Sequence, residues 1–231
     1  MAVLKLKAVD IGRTASAADL IQAALREAIV HGEMRDGDVL RQDQIAGLFN
    51  VSRIPVREAL ARLEAQGLVT SHRYKGAVVT SLSLDEIAET FEFRALIEPE
   101  VLRIAVGQMS PSSLEEARAH CRDFDTEINP ERWAPLNRAF HYALYRDANR
   151  PYHLQVVSAA LDKVGRYLRA QLILTDGMDQ ARAEHAAILE ACIAGDADRA
   201  AELTRRHILD ASHSLLAFLE RERARERERP A

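Results

Sequence analysis

The chain has 231 residues, with 31 Lys and Arg against 35 Asp and Glu for a net charge of −4, and 48% of it is hydrophobic. It is too apolar for a disordered chain and fits one large or two modest domains, each able to bury a core. Only 5% of residues are aromatic, Ala, Leu, Arg and Glu recur, no stretch of about 18 apolar residues marks a membrane span, and residues 1–10 lack the apolar centre of a signal peptide, so a mainly helical, cytoplasmic protein is expected.

The charge is unevenly spread. Residues 1–80 carry 11 basic and 9 acidic side chains, net +2, whereas residues 81–231 carry 20 and 26, net −6. A mildly basic front permits a DNA-binding head but does not demonstrate one. In that front, Leu20, Ile21, Ala24, Leu25, Ala28 and Ile29 recur at helical period and predict a first helix, stopped at His31-Gly32. The turn Arg35-Asp36-Gly37-Asp38 precedes a short second helix, with Ile45, Ala46 and Leu48 directed inward. After the tight connection Asn50-Val51, Ser52 is placed to cap a third helix over about 53–66, with Pro55 in its first turn and Val56, Leu60 and Leu63 as its inner stripe. Two helices joined this closely, the second opened by Ser-Arg-x-Pro-x-Arg, have the pattern of a helix-turn-helix. Arg53 and Arg57 are four apart and share a face near the helix start, where each can make bidentate contacts to guanine or phosphate; the alternative is an ordinary solvated face. The β-prone runs 68–71 and 77–80 flank Arg73-Tyr74-Lys75-Gly76, a hairpin with a basic tip that reads as a wing.

The run Val51-Ser-Arg-Ile-Pro-Val-Arg-Glu-Ala-Leu60, with Arg62-Leu63-Glu64 and Gly67-Leu68-Val69 after it, resembles the signature of GntR-type winged-helix transcription regulators over about Ala17 to Val79. The resemblance implies DNA contacts from Ser52, Arg53, Arg57, Gly76 and its neighbour Lys75. One departure stands out: Asp43 lies close to where such regulators often carry a basic residue, which leaves Arg41 as the substitute.

From Leu84 onward the apolar residues recur at three and four, broken at Ser110-Pro111, Asn129-Pro130, Asn149-Arg150-Pro151, Asp176-Gly177 and Gly195-Asp196. These breaks predict about six helices in an antiparallel bundle, a scaffold whose inward side chains can build a ligand or metal site. The tail from Glu220 to Arg229 alternates charges and reads as a solvated helix end. Cys121 and Cys192 have no CxxC spacing and read as reduced core thiols. Asn137 and His141 are i, i+4 on one predicted helix, His185 follows Glu184 on another, and His207 follows Arg205-Arg206 on a third. From spacing alone these histidines are either half-buried core residues or ligands of one shared metal.

Arg94-Ala-Leu-Ile-Glu98-Pro, Ala139-Phe140-His141, Glu184-His185-x-x-Ile-Leu and Gly195-Asp196-x-x-x-Ala200 followed by His207 resemble the FCD effector domain of FadR-like GntR regulators. In metal-binding members of that domain an Asp four residues before the first His, with three His, holds a divalent ion near a pocket for small carboxylates. The resemblance therefore implies ligands His141, His185 and His207, with Asn137 in place of the Asp. The ion could be Zn, Ni or Mn. His120, His153 and His213 match no position of that pattern.

The expected protein is a winged helix-turn-helix over 1–80 followed by an all-α effector domain over 81–231. The resemblance implies that it works as a homodimeric transcription regulator on an inverted-repeat DNA operator, with a small carboxylate as effector and no membrane partner. Arg94 is the first candidate to hold that carboxylate, with an ion pair to Glu98 as its alternative role, and Arg166 and Tyr167 are further pocket candidates. The rival class is a metal-dependent hydrolase with Glu184 as base. It lacks a His-Glu-x-x-His, a phosphate-binding loop and a nucleophile motif, so no enzymatic activity is expected.

Overall fold

The computed structural model describes residues 16–72, 76–174 and 177–228. They fall into two compact units, one running to Ala28 and resuming over Arg35–Thr80, the other holding Ile29–Met34 and the chain from Ser81 onward.

The first unit is a winged helix. Helix α1 (Ala17–Val30) leads into β1 (Val39–Leu40), α2 (Gln42–Leu48), α3 (Arg53–Ala65) and the hairpin β2 (Val69–His72) and β3 (Gly76–Val79). Ser16 caps α1, its hydroxyl accepting the Asp19 N–H at 3.1 Å while its own N–H donates to the Asp19 carboxylate at 2.9 Å. Asn50 makes the α2–α3 connection at φ +51°, a left-handed conformation that Asn tolerates better than most side chains. Val56, Ala59, Leu60 and Leu63 of α3 are buried, as the inner stripe predicts. Two apolar expectations are corrected. Leu48 is 82% exposed at the end of α2, and on α1 the predicted stripe narrows to Ile21, Leu25 and Ile29, joined by Ala18, with Leu20 58% exposed and Ala24 also exposed. A stripe of adjacent pairs is wider than one packing face, so its outer half is left to solvent.

The sheet has the order β1-β3-β2, antiparallel throughout, with β2 and β3 forming the expected hairpin. Strand β1 is an addition to the sequence reading: two residues lying beside Ala77 and Val78. Gly76 begins β3 at φ +87°, and a Cβ there would stand 3.0 Å from the Leu40 carbonyl oxygen. Only glycine meets both conditions without strain.

The second unit holds six α-helices among its described residues: α4 (Leu84–Val106), α5 (Pro111–Thr126), α6 (Pro130–Tyr145), α7 (Pro151–Leu174), α8 (Gly177–Ile193) and α9 (Ala197–Glu228). Their boundaries follow local chemistry. Ser83 and Glu86 form a reciprocal capping box at the start of α4. Ser110 caps α5 ahead of Pro111, whose missing N–H costs nothing in the first turn. Asn149 turns the chain at φ +50° before Pro151. From α5 onward, consecutive helices are joined by short loops and pack on one another, giving an antiparallel bundle in which α4 lies most extensively against α9. Its core contains Phe91, Leu102, Phe140, Leu144, Val164 and Ile188, and a smaller cluster gathers Phe124, Leu136, Leu172 and Met178. Cys192 lies in the main core, where burial pushes its thiol up to about 12, as suits an inert reduced side chain. No described helix is long and apolar enough to cross a membrane.

Candidate functional site

In the winged helix, Ser52 occupies the N-cap position of α3 with extended backbone angles, but its hydroxyl makes no capping hydrogen bond. Arg53 and Arg57 follow on the exposed side of α3, opposite its buried stripe. Arg53 forms an ion pair with Asp43 of α2, both side chains about two thirds exposed. Arg41 sits exposed at the N-cap of α2, and Gly76 opens β3. Lys75 lies outside the described residues. Two exposed arginines, Arg53 and Arg57, thus stand in the first turns of α3, while the acidic Glu64 is tied back to Ser71, whose N–H donates to it at 2.7 Å.

In the bundle, α6, α8 and α9 bring His141, His185 and His207 together, all three buried, with candidate ligand atoms within 4.8 Å of one another. Ring centroids lie 5.1 Å apart for His141 and His185, 5.1 Å for His141 and His207, and 4.9 Å for His185 and His207. The His185 ring packs against Phe140 at 4.4 Å and Phe124 at 4.6 Å, and neither of its nitrogens has a hydrogen-bond partner. The His141 Nε2 is also buried and unpartnered. Burial, with repulsion from His185, His207 and Arg94, holds the His141 pKa well below the usual imidazole value; burial and His207 do the same to His185. Both rings are therefore neutral near pH 7. Buried ring nitrogens without partners carry a desolvation cost unless something else coordinates them, and neutral imidazole is the form that binds a metal. The donor set fits a divalent ion.

The surroundings of the cluster are polar on two sides. His207 Nδ1 donates to Glu184 Oε2 at 2.6 Å. Burial raises the Glu184 pKa, but His207, the Gln180 hydrogen bond and the nearby Arg206 charge together outweigh it and leave the carboxyl below its ordinary value. A recess opens beside His207, with Asn137, Gln180, Glu184 and Asp210 as its polar lining. Asn137, one turn before His141 on α6, is buried at this wall.

On the other side, Arg94 Nε donates to Glu98 Oε1 at 2.6 Å, the pair fully buried, and Tyr145 OH lies 2.9 Å from Glu98 Oε2 and 3.2 Å from His141 Nδ1. Arg94 is thus placed in its alternative role, an ion pair with Glu98, and is not part of the recess lining. Tyr167 also stands apart from the recess, its hydroxyl accepting the Leu82 N–H at 3.0 Å. Arg166 neighbours it on α7, its side chain outside what the structure describes. The sequence reading missed Glu98 and Tyr145 as neighbours of the histidines; the spacing His141 to Tyr145, i and i+4 on one helix, was the available signal.

The FCD domain matches residues 89–210, and the description "Bacterial regulatory proteins, gntR family" matches residues 17–79. The chain is 28% identical over 196 residues to the HTH-type transcriptional repressor GlaR of Escherichia coli (strain K12), spanning 80% of this chain and 89% of the relative. It is 30% identical over 208 residues to the HTH-type transcriptional regulator BphR of Paraburkholderia xenovorans (strain LB400), spanning 84% of each. Among solved structures, E. coli McbR/YncC matches the fold with a TM-score of 0.78 at 19% identity, covering 90% of this chain and 99% of that one.

Proposed function

Because the chain belongs to the GntR family of bacterial regulatory proteins and carries an FCD domain, we propose that this DNA-binding transcription regulator responds to a small carboxylate held beside a divalent metal ion in its helical bundle. The observation that carries the reading is the cluster of three buried histidines whose ring nitrogens include several with no partner. His141, His185 and His207 would hold the ion, with the Asn137 amide oxygen in place of a carboxylate. Imidazole donors suit zinc or nickel better than manganese. The ion would supply positive charge and open coordination positions for the effector's carboxylate. That charge matters because Glu184 and Asp210 both line the recess, and an organic acid beside two carboxylates needs a cation to offset the repulsion.

On the DNA side, Arg53 and Arg57 at the start of α3 would contact base edges or phosphates in the major groove, Ser52 a phosphate, and Arg41, Lys75 and Gly76 the flanking backbone. The protein would work as a homodimer on an inverted repeat, since one head with few base contacts selects weakly among genomic sites. The metal-dependent hydrolase that three imidazoles also permit has no support from the relatives named above, which are regulators.

The test is metal analysis and Zn²⁺ calorimetry on wild type and His185→Ala, followed by operator binding with and without a panel of small carboxylates. Wild type should bind one ion and respond to an acid. His185→Ala should lose both while binding operator as the effector-free protein does. A variant that keeps its metal and its response would overturn the site.

A further inference from the structure

His207 and His141 each have Nδ1 on a polar partner, but the partners differ in kind. A carboxylate only accepts, so the bond to Glu184 requires the His207 Nδ1 to carry the proton. A phenol can donate or accept, so Tyr145 by itself leaves the His141 bond undirected. The direction is set one residue further on. The Glu98 carboxylate, ion-paired with Arg94, accepts at Oε2 from the Tyr145 hydroxyl at 2.9 Å. The phenol has one proton and donates it there. Its oxygen then faces His141 Nδ1 at 3.2 Å with lone pairs only, so the imidazole must donate. A neutral imidazole has a single N–H, which leaves Nε2 as the lone-pair nitrogen, and Nε2 is the atom found buried without a partner.

We propose that Arg94, Glu98 and Tyr145 are positioning residues that hold His141 in its Nδ1–H tautomer, so that Nε2 is presented to the cluster as a ready ligand atom. The inference rests on the reading of the three histidines as a metal site. It also accounts for a buried charge pair: each helix contributes one i, i+4 pair, Arg94 and Glu98 from α4, His141 and Tyr145 from α6, and the four groups form one line of directed hydrogen bonds. Outer hydrogen-bond partners of this kind fix the tautomer and ring orientation of metal-binding histidines.

The test is long-range ¹H–¹⁵N correlation on the metal-free full chain with ¹⁵N-labelled histidine, His141 being assigned by its loss in His141→Gln. Wild type should show His141 protonated at Nδ1 and bare at Nε2. Glu98→Gln keeps the shape but adds a donor. With its oxygen held by Arg94, its NH₂ faces Tyr145, the phenol proton turns to His141 Nδ1, and the imidazole proton moves to Nε2. The tautomer should invert, and Zn²⁺ affinity by calorimetry should fall about 10- to 100-fold. Tyr145→Phe, which fills the same core space, should give a mixture of tautomers and a smaller loss. An Nε2–H wild type, or a tautomer that survives both substitutions, overturns the relay whatever the metal does. A wild type with the stated tautomer that takes up no Zn²⁺ overturns the metal reading instead.

Discussion

At the scale of single residues, the histidine cluster makes stability depend on pH in a definite direction. His141 and His185 titrate in the unfolded chain near 6.5 but are held neutral in the fold chiefly by burial, with a smaller push from neighbouring charge such as His207, so below that pH the unfolded state binds protons that the native state refuses. Metal-free protein should therefore lose stability as pH falls from about 7 toward 5, by up to about 2.7 kcal/mol per pH unit for two such groups. Urea melts at pH 7.5, 6.5 and 5.5 would read this, and a flat profile would mean that the rings are protonated in the fold. Asn137→Asp adds a carboxylate at the recess wall without changing side-chain size, and should tighten metal binding by roughly tenfold through its charge. Calorimetry that finds equal affinities would remove residue 137 from the ligand set. Spacing and resemblance together made the three histidines legible in the sequence. Tyr145 could have been found from its i, i+4 spacing to His141, but its meeting with Glu98 could not, because that depends on which faces of α4 and α6 pack together, and no local pattern records that.

At the scale of elements, the helix breaks were the most readable feature because they are local chemistry: Pro111, Pro130 and Pro151 each open a helix, and Gly195 closes the turn after α8. Strand β1 was unreadable. Two residues have no periodicity, and they become a strand only because β3 arrives beside them. Leu48 and Leu20 were misread for a related reason, since hydrophobicity gives the width of a stripe and packing decides which part of it is covered. The wing carries a prediction of its own. Gly76→Ala forces an unfavourable left-handed φ and a Cβ against the Leu40 carbonyl, so it should destabilise the first unit by about 1–3 kcal/mol and weaken binding to all DNA alike. A melting temperature equal to wild type would show that β1 and β3 can separate at little cost. Arg57→Ala on α3 should leave stability unchanged, since the side chain is exposed, but weaken operator binding by about 1–3 kcal/mol and relax preference at one symmetric pair of base positions. Selection of operators from a random pool by the variant checks this. An unaltered base preference would assign Arg57 to phosphate.

At the scale of the whole molecule, a mildly basic winged helix and an acidic helical bundle share one chain, and the charge split already visible in the sequence follows the two units. Light scattering of the protein at concentrations that bind operator specifically should give a dimer, with the operator an inverted repeat; a monomer would require the single head to supply all the discrimination. The position of Asn137 has a consequence in genetic terms. The codons for Asn and Asp differ in a single base, and the two side chains have nearly the same shape, so a regulator with this bundle stands one point mutation away from a site that carries a fixed negative charge beside its three imidazoles. With the proposed ion on the three histidines, that one substitution would turn a site that releases it readily into one that retains it, without repacking the core or altering the DNA-reading head.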